Sequence, residues 1–183
     1  MDERPLLVLD LDETLVHASE MPLAVPSFHT VGPYFLYLRP GLTDFIEQVA
    51  RAYRLAVWTS SSPSYAEAVC PLVFTNSERL EFIWASDRCT PTRDFATDTW
   101  CHAKPLKKLK RLGYDLARVL VVDDSPEKHT RNHGNLVQVA PFTGDPLDTE
   151  LLHLGQYLHE LASVADFRTI EKRLWGRRVR TGY

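Results

Sequence analysis

Short, wholly apolar runs alternate with longer segments of helical spacing along this chain. Leu6, Leu7, Val8 and Leu9 form an unbroken apolar stretch between Pro5 and Asp10, and Val119 to Val122 forms another; each predicts a strand buried on both faces. Leu55 to Trp58 and Leu136 to Val139 predict two further strands. Between them, Phe45, Ile46, Val49 and Ala50 recur at helical spacing, with Thr43 as a possible cap and an end near Tyr53. Pro63 opens a second helix through Ala66, Ala68 and Val69, and Pro105 opens a third through Leu106, Leu109 and Leu112, closed by Gly113. Leu151, Leu152, Leu158 and Leu161 predict a helix over 148–162, and a last helix is expected from Phe167 to Trp175.

Two stretches break this alternation. From Ala18 to Leu38, Pro22, Pro26, Gly32 and Pro33 separate the β-prone pieces His29 to Val31 and Tyr34 to Leu38, which predicts a hairpin excursion after the first strand. Residues 76–100 are irregular around the apolar piece Leu80 to Ala85 and read as an insertion carrying a strand. The fold class expected is α/β, a parallel sheet covered on both faces, in one domain spanning 1–183 with C-terminal helices over about 148–175. A length of 183 residues suits one such core.

Composition narrows the function. Hydrophobic residues at 44% and charged residues at 25% are ordinary for a globular protein. A net charge of −3 argues against a general nucleic-acid binder, and the polar start Met1, Asp2, Glu3, Arg4 shows neither a signal peptide nor a membrane span, so a cytoplasmic or nuclear monomer is expected. Cys70, Cys89 and Cys101 are odd in number and lack paired spacing, which suits reduced thiols. Cys89, Cys101 and His102 want a fourth zinc ligand, so half-buried thiols beside a surface histidine is the better reading.

The two apolar strands end in acids: Asp10 and Asp12 after the first, Asp123 and Asp124 after the later one. Acids also end strands at ordinary turns. In open α/β sheets, however, ligands bind at the carboxyl ends of the strands. If the strands are neighbours, four carboxylates meet there, and a hard cation with oxygen ligands, Mg2+ for a site that also holds phosphate, would relieve their repulsion.

The run DLDETLVH from Asp10 to His17 resembles the DxDxT signature of haloacid dehalogenase (HAD) superfamily phosphatases, and more narrowly that of the small C-terminal-domain phosphatases, also called NLI-interacting-factor-like. YLRPGLTDFIEQVA, WTSSSPSYAEAV, DRCT, HAKPLKKLKRLGYDL and VLVVDDSPEKH continue the similarity in order, over roughly Leu6 to Leu161. The resemblance implies a HAD-like three-layer sandwich and a Mg2+-dependent phosphomonoesterase. Asp10 would be the nucleophile, which agrees with its chemistry: a carboxylate needs no helper base to be ionised at neutral pH. Asp12 would be general acid and then base, entering the reaction with a proton and offering its backbone carbonyl to the metal. Thr59, the Ser60 amide, Lys104 and Arg88 would bind phosphate; for Arg88 a plain surface charge is an equal reading, and only its family position singles out Lys104 among neighbouring lysines. Asp124 would touch the metal directly and Asp123 through water.

Eukaryotic members that act on the RNA polymerase II repeats have an apolar wall after the signature, where ASEMP places Glu20 here, so the resemblance does not carry repeat-peptide specificity. Three functions follow: a phosphatase of phosphoserine or phosphothreonine in a protein; a phosphatase of a small metabolite or nucleic-acid end; and a non-catalytic phosphoprotein-binding module, against which the intact acids argue. The basic run Lys172, Arg173, Arg177, Arg178 and Arg180 reads as a solvated tail.

Overall fold

The computed structural model describes residues 3–94 and 99–181. Its centre is a five-stranded parallel sheet. The strands are β1 (Leu6–Leu9), β5 (Arg54–Trp58), β6 (Ile83–Trp84), β9 (Val119–Asp123) and β10 (Leu136–Gln138), in the order β10-β9-β1-β5-β6. β1 lies in the middle, so all four of its side chains are buried, as its apolar run requires. Leu7, Leu9, Val57 and Val122 face one core with helices α1 (Leu42–Ala52), α2 (Pro63–Val73) and α4 (Glu150–Leu161). Leu6, Val8, Trp58, Val119 and Val121 face a smaller one with Trp84, Cys89, Leu106 and Leu109, the last on the short helix α3 (Lys107–Arg111). Helices on both faces of the sheet make the expected three layers.

Register decides what meets at the rim. Leu9 is level with Val57 on one side and Val122 on the other. The next residues, Asp10, Trp58 and Asp123, are therefore level at the carboxyl end of the sheet, and Asp10 N–H still reaches the Val122 carbonyl at 3.0 Å. The two acidic strand ends are neighbours.

The excursion after β1 is a three-stranded antiparallel sheet in the order β2-β4-β3, from β2 (Val16–Ser19), β3 (His29–Val31) and β4 (Tyr34–Leu38). β3 and β4 match the predicted hairpin. β2 was hidden because its only buried residue is Val16, so its sequence shows no alternation. The stretch 76–100 also holds more than one strand: β6 joins the main sheet as its edge, and β7 (Thr90–Asp94) pairs with β8 (Thr99–Ala103) in a separate hairpin.

Two local expectations need correction. Thr43 does not cap α1; Gly41 does, with φ of 76° that a side chain would resist, and no side-chain cap bond. Helix α2 is capped by Ser62, whose side chain accepts the Tyr65 N–H. The helix expected from Phe167 to Trp175 is a single 3-10 turn, Phe167–Thr169, and α5 begins only at Trp175 and runs to Thr181. The buried Lys172 ammonium donates to the carbonyls of Phe167 and Ile170, acceptors a continuing helix would need. Among the described residues, no helix is long and apolar enough to cross a membrane.

Candidate active site

The turn after β1 is tight and strained. Glu13 takes a left-handed φ of 58° while its N–H bonds to the Val16 carbonyl at 2.8 Å, bending residues 10–14 back over the strand end. Inside that bend, one oxygen of Asp10, Oδ1, accepts from the Lys104 ammonium at 2.7 Å. The other, Oδ2, is buried and has no hydrogen-bond partner. Lys104, arriving directly after β8, also donates to Asp123 Oδ2 at 2.6 Å, and His129 Nε2 lies 2.9 Å from the same oxygen. Asp123 Oδ1 accepts the Ser125 N–H at 2.9 Å. All four side chains are buried.

Burial sets the electrostatics. It pushes Asp10 up to about 7, reinforced by the Asp123 charge and only partly offset by Lys104. Burial pushes Asp123 up too, but Lys104 and His129 outweigh it, and this carboxyl stays well below the usual range. For Lys104, burial disfavours the ammonium, yet Asp10 and Asp123 hold it firmly protonated.

Asp124 is half-buried. Its N–H donates to Thr14 Oγ1 at 3.2 Å, and its oxygens take Thr14 Oγ1 at 3.4 Å and Ser125 Oγ at 3.2 Å. Carboxylate oxygens of Asp10, Asp123 and Asp124 all lie within 4.8 Å of one another, the one potential metal cluster among the described residues. An all-carboxylate donor set beside a buried, unpartnered oxygen fits a hard divalent cation, whereas the Cys89, Cys101 and His102 set does not form a cluster.

Asp12 points its carboxylate away from that cluster into a ring of hydroxyls. Tyr65 on α2 donates to Oδ1 at 2.5 Å, and Ser61 donates to Oδ2 at 2.6 Å, with Thr59 at 3.4 Å. Burial and the Asp12 charge raise the Tyr65 phenol, which therefore stays a donor. Thr59 Oγ1 accepts the Ser61 N–H at 3.0 Å, and Ser60 follows it with its hydroxyl buried. Arg88 stands apart: its side chain is 59% exposed, 3.6 Å from Asp87 and over the Trp84 ring.

The structure thus gathers Asp10, Lys104, Asp123 and Asp124 in one cluster and Asp12, Thr59 and Ser60 beside it, and leaves Arg88 on the rim. Sequence reasoning gave no role to Tyr65, Ser61, Thr14 or His129. His129 could have been suspected, since it closes the VLVVDDSPEKH run; Tyr65 could have been placed near the strand tips by the helix start at Pro63.

The pattern of NLI interacting factor-like phosphatases matches residues 5–168. The chain belongs to this family. It is 33% identical over 172 residues to a probable C-terminal domain small phosphatase of Dictyostelium discoideum, covering 90% of this chain and 53% of that protein. The chain therefore spans about half the length of that relative. The solved structure of Fcp1, an essential RNA polymerase II CTD phosphatase, superposes with a TM-score of 0.59 at 21% identity, over 97% of this chain and 48% of that one. A HAD-superfamily hydrolase from Geobacter sulfurreducens superposes at 0.50 with 13% identity, over 76% of this chain and 92% of that one. The fold is HAD-like.

Proposed function

We propose that this NLI interacting factor-like domain is a magnesium-dependent phosphomonoesterase that works through an aspartyl-phosphate on Asp10. The observation that carries this is the asymmetry of the Asp10 carboxylate: Oδ1 is anchored on Lys104, and Oδ2 is buried and bare. A bare oxygen on an anchored carboxylate is what a nucleophile needs, with orientation fixed and one lone-pair face unspent.

Asp10 Oδ2 would attack phosphorus as the ester oxygen departs, and that oxygen takes its proton from Asp12. Asp12 then removes a proton from water, whose oxygen attacks phosphorus and breaks the bond to Asp10, releasing inorganic phosphate and restoring both carboxyl groups. Tyr65 and Ser61 hold Asp12 in place for both proton transfers. The Lys104 ammonium, the Thr59 hydroxyl and the Ser60 amide would receive phosphoryl oxygens. Mg2+ would be held by Asp10, Asp124 and the Asp12 carbonyl, supplying charge neutralisation to an anionic reaction. Asp123 suits an outer position better, because its oxygens already accept from Lys104, Ser125 and His129.

The family favours a phosphorylated protein as substrate, and phosphoserine or phosphothreonine is the reading we adopt. The segment joining β2 to β3 agrees, presenting Met21 and Phe28 to solvent with 73% and 55% exposure, as a peptide-contacting surface would. Glu20 is exposed at the end of β2, which keeps polymerase-repeat specificity out of the proposal. Hydrolysis of p-nitrophenyl phosphate should require Mg2+ and stop in EDTA. Against a panel, phosphoserine and phosphothreonine peptides should turn over faster than sugar phosphates. No hydrolysis of any ester with Mg2+ present would remove the mechanism; a preference for sugar phosphates would remove the substrate class.

A further inference from the structure

Behind Lys104 lies a cup of about 220 Å3 between the β7–β8 hairpin and the segment that follows β9. Thr92, Lys107, Lys128, Thr130, Arg131 and Asn132 contribute to its lining, which holds no carboxylate among the described residues. In a chain with a net charge of −3, three cations around one small cavity with no acid among its described lining residues need an explanation. Two other cavities have acids as well as cations in their linings. In the cleft at the opposite ends of the strands, Arg54 pairs with Glu81; in the groove beside β10, Arg173 pairs with Glu171. Among the described residues, Lys107, Lys128 and Arg131 enter no ion pair.

The cup is also tied to the reaction centre. Lys104 N–H donates to the Lys128 carbonyl at 2.9 Å, and Asn132 Nδ2 donates to the Lys104 carbonyl at 3.1 Å, so the backbone that carries Lys104 forms part of the wall. Lys128 is half-buried, and its charge acts on Asp10, Asp123 and Asp124 alike. An anion in the cup would sit beside the place where a phosphate ester reacts.

We infer that the cup binds a second phosphoryl group of the same substrate, so that this domain prefers chains phosphorylated at two nearby residues. The inference rests on the phosphatase reading above and adds a substrate class to it. A phosphate carries roughly −1.5 to −2 charge at neutral pH and three acceptor oxygens, which matches unpaired ammonium and guanidinium groups interleaved with threonine hydroxyls and an amide. Arg131 and Lys107 are exposed, while Lys128 and Thr92 are half-buried.

The test compares peptides with one phosphoserine against peptides with a second placed one to four residues away, with p-nitrophenyl phosphate as a substrate too small to reach the cup. At the best spacing, the doubly phosphorylated peptide should show a KM about tenfold lower than the single one, the scale of one good charge-assisted contact. The double variant Lys107→Gln, Arg131→Gln should erase that difference and leave p-nitrophenyl phosphate turnover unchanged; the two single variants should each erase part of it if the double one folds poorly. No preference at any spacing, or a preference that survives these substitutions, overturns the inference. So does an equal drop in KM for the single phosphopeptide on adding free sulfate, which would make the cup a site for a free anion. Failure of wild-type protein to hydrolyse p-nitrophenyl phosphate would instead strike the phosphatase reading.

Discussion

Asp10 and Asp123 end adjacent strands, are equally buried and share one ammonium, yet their surroundings drive them in opposite directions. Asp123 gathers donors on both oxygens from Lys104, His129 and the Ser125 amide, and it is held as a carboxylate. Asp10 has Lys104 alone, and burial pushes it up to about 7. What separates them is satisfaction rather than depth. A buried acid with all its lone pairs engaged is architecture, and one with a spare oxygen is available for chemistry or for a cation.

The sharpest way to break this contrast is to neutralise the reactive member. Asp10→Asn should lower kcat for p-nitrophenyl phosphate by at least about 10^4-fold, as loss of a nucleophile does, while the protein stays folded and retains phosphate binding. Turnover near the wild-type rate would take Asp10 out of the mechanism. The architectural member should fail differently. Asp123→Ala leaves a buried ammonium short of a partner and should cost about 3–5 kcal/mol in urea unfolding; a loss of activity with unchanged stability would contradict the assignment.

Opposite displacements also predict opposite pH trends. In EDTA, the raised Asp10 contributes stability below its ordinary value of 3.8 and loses it as pH rises through about 7. Wild-type protein should therefore lose ground to Asp10→Asn across that window, by at most about 1.4 kcal/mol per pH unit. Asp123 has the reverse sign: its contribution is present above the ordinary carboxylate range and fades as pH falls. Parallel curves for wild type and Asp10→Asn would mean the two acids do not differ as described. The smallest effect belongs to Asp12's support. Tyr65→Phe removes one hydrogen bond worth about 1 kcal/mol and should lower kcat roughly fivefold with KM little changed; the acidic or basic limb of the pH–rate profile should move with it, which a merely structural tyrosine would not cause.

Much of this was legible beforehand because it rested on short-range signals. The apolar runs Leu6–Leu9 and Val119–Val122 declared buried parallel strands, and the acids after them declared the rim. What the sequence alone left open was adjacency, which only register supplies: Leu9 against Val122 is a contact between distant parts of the chain. The misses have the same origin. β2 lacks a period because it lies at the margin of a small sheet, and the expected helix at Phe167 was undone by one buried lysine competing for its carbonyls. Tyr65 and Ser61 carry no motif of their own; they matter because α2 starts where Asp12 arrives.

Arg39 ties the signature turn to a distant segment of the chain. Fully buried, it donates to the Thr14 carbonyl at 3.0 Å in the signature turn, to the Ala140 carbonyl at 2.9 Å, and with two nitrogens to Asp148 at 2.9 and 2.8 Å. A guanidinium beside the signature turn is thus neutralised only once a segment more than a hundred positions downstream has docked. During synthesis, then, the N-terminal half can emerge with every signature residue in place while this guanidinium still lacks its carboxylate partner: a fragment ending before residue 148 would strand that cation beside the signature turn.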